Sequence, residues 1–256
     1  MLDTTGDAIN LQPGQFLGRV TLERLLIQYA PEPGTPGASL YLPPGAVAGF
    51  MAESDPGGRE WREQLLRCGD PVLQSNTGVA GLRAGDRGLL LLPPFPLRER
   101  RLVPEWDIAP LLALLTADYT VGVVLLRLGR YLVAVFEGER VVSSKTDTRY
   151  VKGKHSAGGT SQLRYQRIRE GQMRKLYDEV CGVVRAQFSP HARQLDYLLL
   201  GGERFTLNGL LKVCPYLEQY REITLGRRLN LRDPKHNTLE EVAGLLRQCR
   251  VYPVAW

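Results

Sequence analysis

Apolar positions along the chain change spacing several times, and the changes predict its elements. Leu22, Leu25, Leu26 and Tyr29 fall at helical intervals and predict a helix over Val20–Tyr29, broken by the following PEPGTPG. Ala38–Leu42 reads as a strand stopped by Pro43 and Pro44, and Arg59–Cys68 as a helix. Leu73–Leu92 is rich in turn residues, with a strand expected at the GLLLL run, residues 88–92. Residues 81–88, GLRAGDRG, lack the Gly-Lys-Ser/Thr ending of a phosphate-binding loop and read as turns. Residues 1–14 read as a loose tail. Residues 93–106, PPFPLRERRLVPEW, combine proline and charge and mark the expected boundary. A smaller α+β domain is thus expected over residues 1–104 and a larger one over 105–256.

The second region is more regular. Ile108–Ala117 predicts a short apolar helix. Val121–Arg127 and Tyr131–Phe136 are strands joined by a Leu-Gly-Arg turn, a hairpin signal, and Arg140–Ser144 opens a third strand. A polar, Gly-rich stretch follows to about residue 159. Apolar positions 165, 168, 173, 176, 177, 180, 183, 184 and 188 then recur at three- and four-residue spacings, predicting a helix over Leu163–Phe188 with Thr160 or Ser161 as its cap. A strand at Leu195–Leu200, a helix at Leu207–Leu217, a strand at Arg221–Leu231, a helix at Leu239–Gln248 and a closing strand at Val251–Val254 complete the series. This order predicts an α/β fold with a mixed sheet flanked by helices.

Composition adds limits. Of 256 residues 43% are apolar, enough to build a core. The longest apolar runs, Leu89–Leu92 and Val121–Leu126, are strand-sized, and the N-terminus resembles no secretion signal, so a soluble, cytoplasmic protein with no membrane partner is expected. Cys68, Cys181, Cys214 and Cys249 are scattered, with only three histidines, so reduced, mostly buried thiols and no metal or other cofactor are expected. The tryptophans Trp61, Trp106 and Trp256 are expected in core or interface positions.

Charge is more informative. Residues 140–175 hold ten Lys or Arg against Asp147 and Glu170, a local +8, which leaves −2 for the rest of a chain of net charge +6. One concentrated basic patch points to a polyanionic partner. Within it lies YVKGKHSAGGTSQLRYQRIR, residues 150–169. Gly158 and Gly159 permit backbone shapes closed to other residues and bring the main chain close to a substrate. Lys152, Lys154 and His155 before them, and Arg164 and Arg167 after, suit phosphates. Thr160, Ser161 and Gln162 supply hydrogen bonds at a helix N-terminus that itself favours anions. A glutamine has no useful pKa and cannot be a general base, but it can orient a water while a nearby backbone N–H stabilises an oxyanion. His155, in so basic a setting, reads as a phosphate contact. Asp147 and Asp196 are too few and too separated for a two-metal nuclease.

The same segment resembles the central domain of the archaeal and eukaryotic class-1 peptide-chain release factors, in which a basic strand enters a Gly-Gly-Gln loop and an Arg-rich helix leaves it. VGVVLLRLGRYLVAVFEGERV, residues 121–141, is similar to that domain's opening hairpin, and LLLGGERFTLNGLLKVCPYL, residues 198–217, to its strand, Gly-Gly turn and helix. Residues 105–256 carry the resemblance, and VTLERLLIQYAPEPGTPGASLYLPPG is similar to the family's N-terminal start. Two departures refine it. Gly159-Thr160-Ser161-Gln162 matches the G-x-x-Q form of the Vms-like branch, which releases nascent chains from stalled large ribosomal subunits. Nothing resembles the Asn-Ile-Lys-Ser decoding motif, and a minimal version without GTPase-docking, ankyrin or zinc-finger modules is expected. The resemblance implies a ribosome-associated peptidyl-tRNA hydrolase with Gln162 catalytic, Gly159 as loop glycine and Gly158 shaping the approach. It implies peptidyl-tRNA and large-subunit RNA near the peptidyl-transferase centre as partners of a monomer. The N-terminal domain would contact ribosome or tRNA. Two alternatives stay open: scission within the tRNA near its CCA end, and a non-catalytic rescue factor that acts by binding RNA alone.

Overall fold

The computed structural model describes residues 11–151, 160–229 and 238–256, with the backbone alone at 160–163, 228 and 238. The chain forms two units: residues 1–117 together with Leu245–Trp256, and Asp118–Gly244. The expected division at 104/105 therefore differs from the observed one at both ends. Residues 93–106 do not separate domains. They contribute strand β5 to the first sheet, and the last dozen residues return to the first unit.

The first unit contains β1 (Gln15–Leu17), α1 (Arg19–Tyr29), β2 (Gly37–Leu42), α2 (Ala46–Ala52), α3 (Arg59–Cys68), the short α4 (Asp70–Leu73), β3 (Val79–Ala84), β4 (Arg87–Leu92), β5 (Arg101–Val103) and α5 (Ala109–Thr116). Its antiparallel sheet runs β1-β11-β4-β3-β2-β5, where β11 is the C-terminal strand Cys249–Ala255. The GLLLL run explains the return of β11. Leu89–Leu91 are fully buried, as in a central strand, and a central strand needs hydrogen-bonded neighbours on both sides. β3 supplies one and β11 the other, from Arg250 opposite Leu92 to Ala255 opposite Arg87. Pro253 is tolerated because β1 pairs only with Cys249–Val251, so β11 has a single neighbour at the proline. GLRAGDRG is a hairpin, not a series of turns: Gly81 lies inside β3, where the ring of buried Trp61 fills the space a side chain would need. Trp61 packs edge-on against Trp256 at 5.1 Å.

The second unit contains β6 (Thr120–Arg127), β7 (Arg130–Glu137), β8 (Arg140–Thr148), α6 (Thr160–Phe188), β9 (Tyr197–Gly202), α7 (Arg204–Val213), β10 (Thr224–Leu229) and most of α8 (Thr238–Leu246). The sheet order is β10-β9-β6-β7-β8, parallel from β10 to β6 and antiparallel from β6 to β8. It is thus the mixed α/β sheet that the alternation of elements predicts. Val124, Leu126, Tyr131, Val133 and Val135 of the hairpin pack with Leu176, Tyr177, Val180, Val184 and Phe188 of α6 and with Leu207 and Leu210 of α7. Gly202 turns the chain from β9 into α7 with φ +112°, a conformation L side chains avoid, and a side chain there would strike the Leu126 carbonyl.

Two expectations change. Helix α6 begins at Thr160, three residues before the expected start, so Thr160 and Ser161 lie within its first turn instead of preceding it. Cys181 of α6 and Cys214, just past α7, are joined in a disulfide with Cα atoms 5.3 Å apart, where reduced thiols were expected; Cys68 and buried Cys249 are free. The scattered spacing of four cysteines gives no sign that the packing of α6 against α7 brings these two together.

Candidate functional site

The predicted loop joins β8 to α6. Lys152, Lys154, His155, Gly158 and Gly159 lie outside the described residues. Thr160, Ser161 and Gln162 form the first turn of α6, a helix of 29 residues whose first-turn N–H groups have no partner within the helix. One turn further, Arg164 and Arg167 are exposed and share a face at a three-residue spacing. Tyr165 and Ile168, which their spacing would assign to the core, are 46% and 37% exposed. The core begins at Met173, and residues 164–172 include no buried side chain. Arg164 and Arg167 thus stand on a projecting helix end.

What holds the base of the loop is visible on its β8 side. Arg149, just past β8, donates its backbone N–H to the Gly129 carbonyl at the β6–β7 turn, 2.8 Å away. Its guanidinium pairs with the Glu179 carboxylate on α6. The same carboxylate accepts a 3.0 Å hydrogen bond from the buried Tyr131 hydroxyl of β7. Glu179 therefore ties the strand that enters the loop, the hairpin beside it and the helix that leaves it. Burial, reinforced by this carboxylate, raises the Tyr131 pKa far above the ordinary phenol range, so the hydroxyl remains a donor. Glu179 carries no signal in the sequence, since a glutamate within a charged helix face is ordinary.

Asp147 and Asp196 do not converge. Asp147 accepts from the Thr148 N–H at 2.8 Å and pairs with Lys145 at 3.2 Å, and these contacts hold its carboxyl below the usual range. Asp196 accepts from the Thr120 N–H at 2.8 Å. Asp147 sits opposite Tyr131 of β7, which pairs with Leu126 of β6, six residues along that strand from Thr120, and Asp196 lies on the far side of β6, so the two acids are more than about 20 Å apart. Among the described residues no group of His, Cys, Asp and Glu could hold a metal ion. No helix among them is long and apolar enough to cross a membrane.

The β6–β7 turn adds residues that the hydrophobic pattern marks only as a hairpin. Arg127 and Arg130 face each other across it, and Arg130 also sits opposite Thr148 of β8. Two arginines flanking a Leu-Gly turn are the signal the sequence offers for them.

Residues 119–252 match the model of the family described as Actinobacteria/chloroflexi VLRF1 release factor. Peptide chain release factor subunit 1 of Archaeoglobus fulgidus is 29% identical over 109 residues, 43% of this chain and 27% of that one. Its counterpart in Methanosphaera stadtmanae is 32% identical over 104 residues, 41% of this chain and 25% of that one. The matches thus span about a quarter of these curated relatives. Among solved structures, the archaeal translation termination factor aRF1 superposes with a TM-score of 0.36 and 14% identity, covering 89% of this chain and 71% of that one. Archaeoglobus fulgidus Pelota gives 0.28 and 10%, covering 91% and 62%. At TM-scores this low the superpositions carry no weight. The family match, over more than half of the chain, does: this protein belongs to that release-factor family.

Proposed function

We propose that this protein is a stop-codon-independent release factor that hydrolyses peptidyl-tRNA and frees nascent chains from stalled large ribosomal subunits in the cytoplasm. The observation that carries the reading is the position of Thr160-Ser161-Gln162 at the start of α6, followed by exposed Arg164 and Arg167. The arginines engage RNA phosphates, with Lys152, Lys154 and His155 on the other side of the loop. Gln162 orients a water toward the ester carbonyl between peptide and tRNA, and Gly158 and Gly159 let the backbone approach it. Water adds to the carbonyl carbon, and the oxyanion is stabilised by N–H groups at the helix start, where the dipole favours negative charge. The carbon–oxygen bond to the ribose then breaks, and the water's proton ends on the departing sugar oxygen. No general base is required of the glutamine, because the aminoacyl ester is already activated. The basic patch and the family membership support the same reading.

The test is single-turnover release from stalled large subunits carrying labelled peptidyl-tRNA, with wild type and Gln162→Ala. The expected loss is about 100-fold or more, the scale of removing one positioned hydrogen-bonding group. Equal release by both, or by neither, defeats the hydrolytic reading, and ribosome binding without release would make the protein a non-catalytic rescue factor. The size of the RNA left on the peptide distinguishes ester hydrolysis from cleavage within the tRNA near the CCA end.

A further inference from the structure

The outer face of α6 is basic well beyond its first turns. Arg164, Arg167, Gly171, Arg174 and Lys175 are all exposed, and the helical period places them on one face, opposite the core positions Met173, Tyr177, Val180 and Val184. Gly171 is the centre of this face. Arg167 lies one turn before it, Arg174 and Lys175 one turn after it, and Arg164 two turns before it. None of the four cations pairs with a carboxylate among the described residues. Glu170, at the edge of the face, accepts a 2.9 Å hydrogen bond from Gln166, and exposed Asp178 closes the basic stretch one turn beyond Arg174. Nothing in the fold asks for glycine at position 171. A side chain there would meet open space, and the backbone is not left-handed. Glycine inside a helix weakens it relative to alanine, and a glutamate at this position would face three of the cations at favourable spacings, as charges on a solvated helix face do. The chain instead leaves the position bare among four cations, so that a bulky anion can sit against the helix between them.

We propose that this face binds the base-paired acceptor stem of the tRNA, with one backbone phosphate seated over Gly171 and its neighbours along the strand matched by Arg164, Arg167, Arg174 and Lys175. Cations spaced along a rigid helix suit a row of phosphates whatever the sequence. The exposed aromatic nearby, Tyr165, lies about a quarter-turn round the helix from Arg164, so the face itself gives unpaired bases no ring to stack on. It therefore suits a duplex, which is recognised by shape and backbone. The site rests on the release reading above and deepens it. In that reading Gln162 stands at the ester, and Lys175 lies thirteen residues, about 20 Å, further along the helix. The paired stem begins a few nucleotides from the ester. The third and fourth turns of α6 thus lie alongside stem, beyond the single-stranded CCA end, which assigns the face to tRNA and not to ribosomal RNA.

The test uses the full chain and three probes, titrated at several salt concentrations: a labelled RNA minihelix with an acceptor stem and CCA end, a labelled single strand of equal length ending in CCA, and large ribosomal subunits free of tRNA. Wild type should prefer the minihelix to the single strand, and no preference overturns the proposal. Arg174→Ala/Lys175→Ala should bind the minihelix about tenfold more weakly, with a log–log salt slope shallower by about 0.9, the duplex value, for each phosphate no longer neutralised. Gly171→Leu should melt at a higher temperature than wild type, because leucine is the better helix former, yet bind the minihelix about fivefold or more weakly. Gly182→Leu, at an equally open position of the same helix beyond Asp178, should also melt higher but bind as wild type does. A merely structural glycine would not lose RNA while gaining stability. If Gly171→Leu and the double variant both bind the minihelix as wild type does, the site is overturned. Equal loss on minihelix and single strand would mark a site for unpaired RNA, and loss on tRNA-free subunits alone a site for ribosomal RNA, and either overturns it too. Release is measured in parallel to keep the two readings separate. Wild type that binds the minihelix but releases no peptide sinks the hydrolytic reading alone; variants of this face that bind and release normally sink this one alone.

Discussion

Replacing Glu179 should loosen the base of the loop by a calculable amount. The side chain makes two interactions of different worth. Its ion pair with Arg149 is partly exposed, at 39% for the arginine and 29% for the glutamate, and contributes about 0.5–1 kcal/mol after solvent screening. Its hydrogen bond from Tyr131 is worth more when broken, because the hydroxyl belongs to a residue only 1% exposed. Glu179→Ala strands that donor, at a cost of about 1–3 kcal/mol. The sum is about 1.5–4 kcal/mol. Tyr131→Phe removes one hydrogen bond but leaves the carboxylate its arginine, and should cost about 1 kcal/mol. In the double variant no buried hydroxyl is left unsatisfied, so its loss should fall short of the sum of the singles by about 1–2 kcal/mol. Urea unfolding of the four proteins, compared at constant slope, gives this coupling directly. Additive losses would refute the clamp and show that Tyr131 and Glu179 contribute independently.

Two further outcomes follow from the chemistry of the two units. Tyr41, Tyr131, Tyr177, Tyr220 and Tyr252 all have raised pKa values, each chiefly through burial. A folded-state pKa above the unfolded value near 10 leaves stability intact below about pH 10 and removes it as pH climbs further, by about 1.4 kcal/mol per pH unit for each tyrosine still protonated. The part of the tyrosinate absorbance due to these five should therefore appear together with unfolding; full ionisation of all the tyrosines in folded protein near pH 10 would contradict the burial. The Cys181–Cys214 disulfide closes a separation of 33 residues and should contribute about 3–4 kcal/mol. Alkylation of denatured, unreduced protein should label only Cys68 and Cys249, and labelling of all four thiols would rule the bond out.

The sequence makes some of this architecture legible and hides the rest for identifiable reasons. The hairpin from Thr120 to Glu137 is plain because both strands are buried along almost their whole length and a glycine with φ +91° sits at the turn. The periodicity of α6 is equally plain, but a spacing says which face is apolar and not where the partner surface ends. Tyr165 and Ile168 continue the stripe beyond the core and are exposed. Long-range pairing leaves even less trace. Nothing local in Cys249–Ala255 says that it lies beside Leu89–Leu92, roughly 160 positions away, although the uninterrupted leucines of β4 demand a second neighbour. The chemistry proposed for the loop rests on residue types and charge, whereas Glu179 gains meaning only once the strands are in register.

The long helix bears on how Gln162, in the reading proposed here, would act at a distance from its own domain core. Among the residues of α6 whose side chains are described, Met173 is the first to be buried, thirteen residues and about 20 Å of helix from Thr160. Beyond Met173 it is fixed by Leu176, Val180, Val184 and Phe188 against the hairpin, and by the Cys181–Cys214 bond beside α7. A loop of that reach would lose its geometry to conformational freedom, whereas a helix carries its end as a rigid arm. The 29-residue length then serves two requirements that oppose each other. The anchored half has an apolar face because it packs on the sheet. The projecting half carries Arg164 and Arg167 with no core beneath them, because in the reading proposed here its surroundings are RNA.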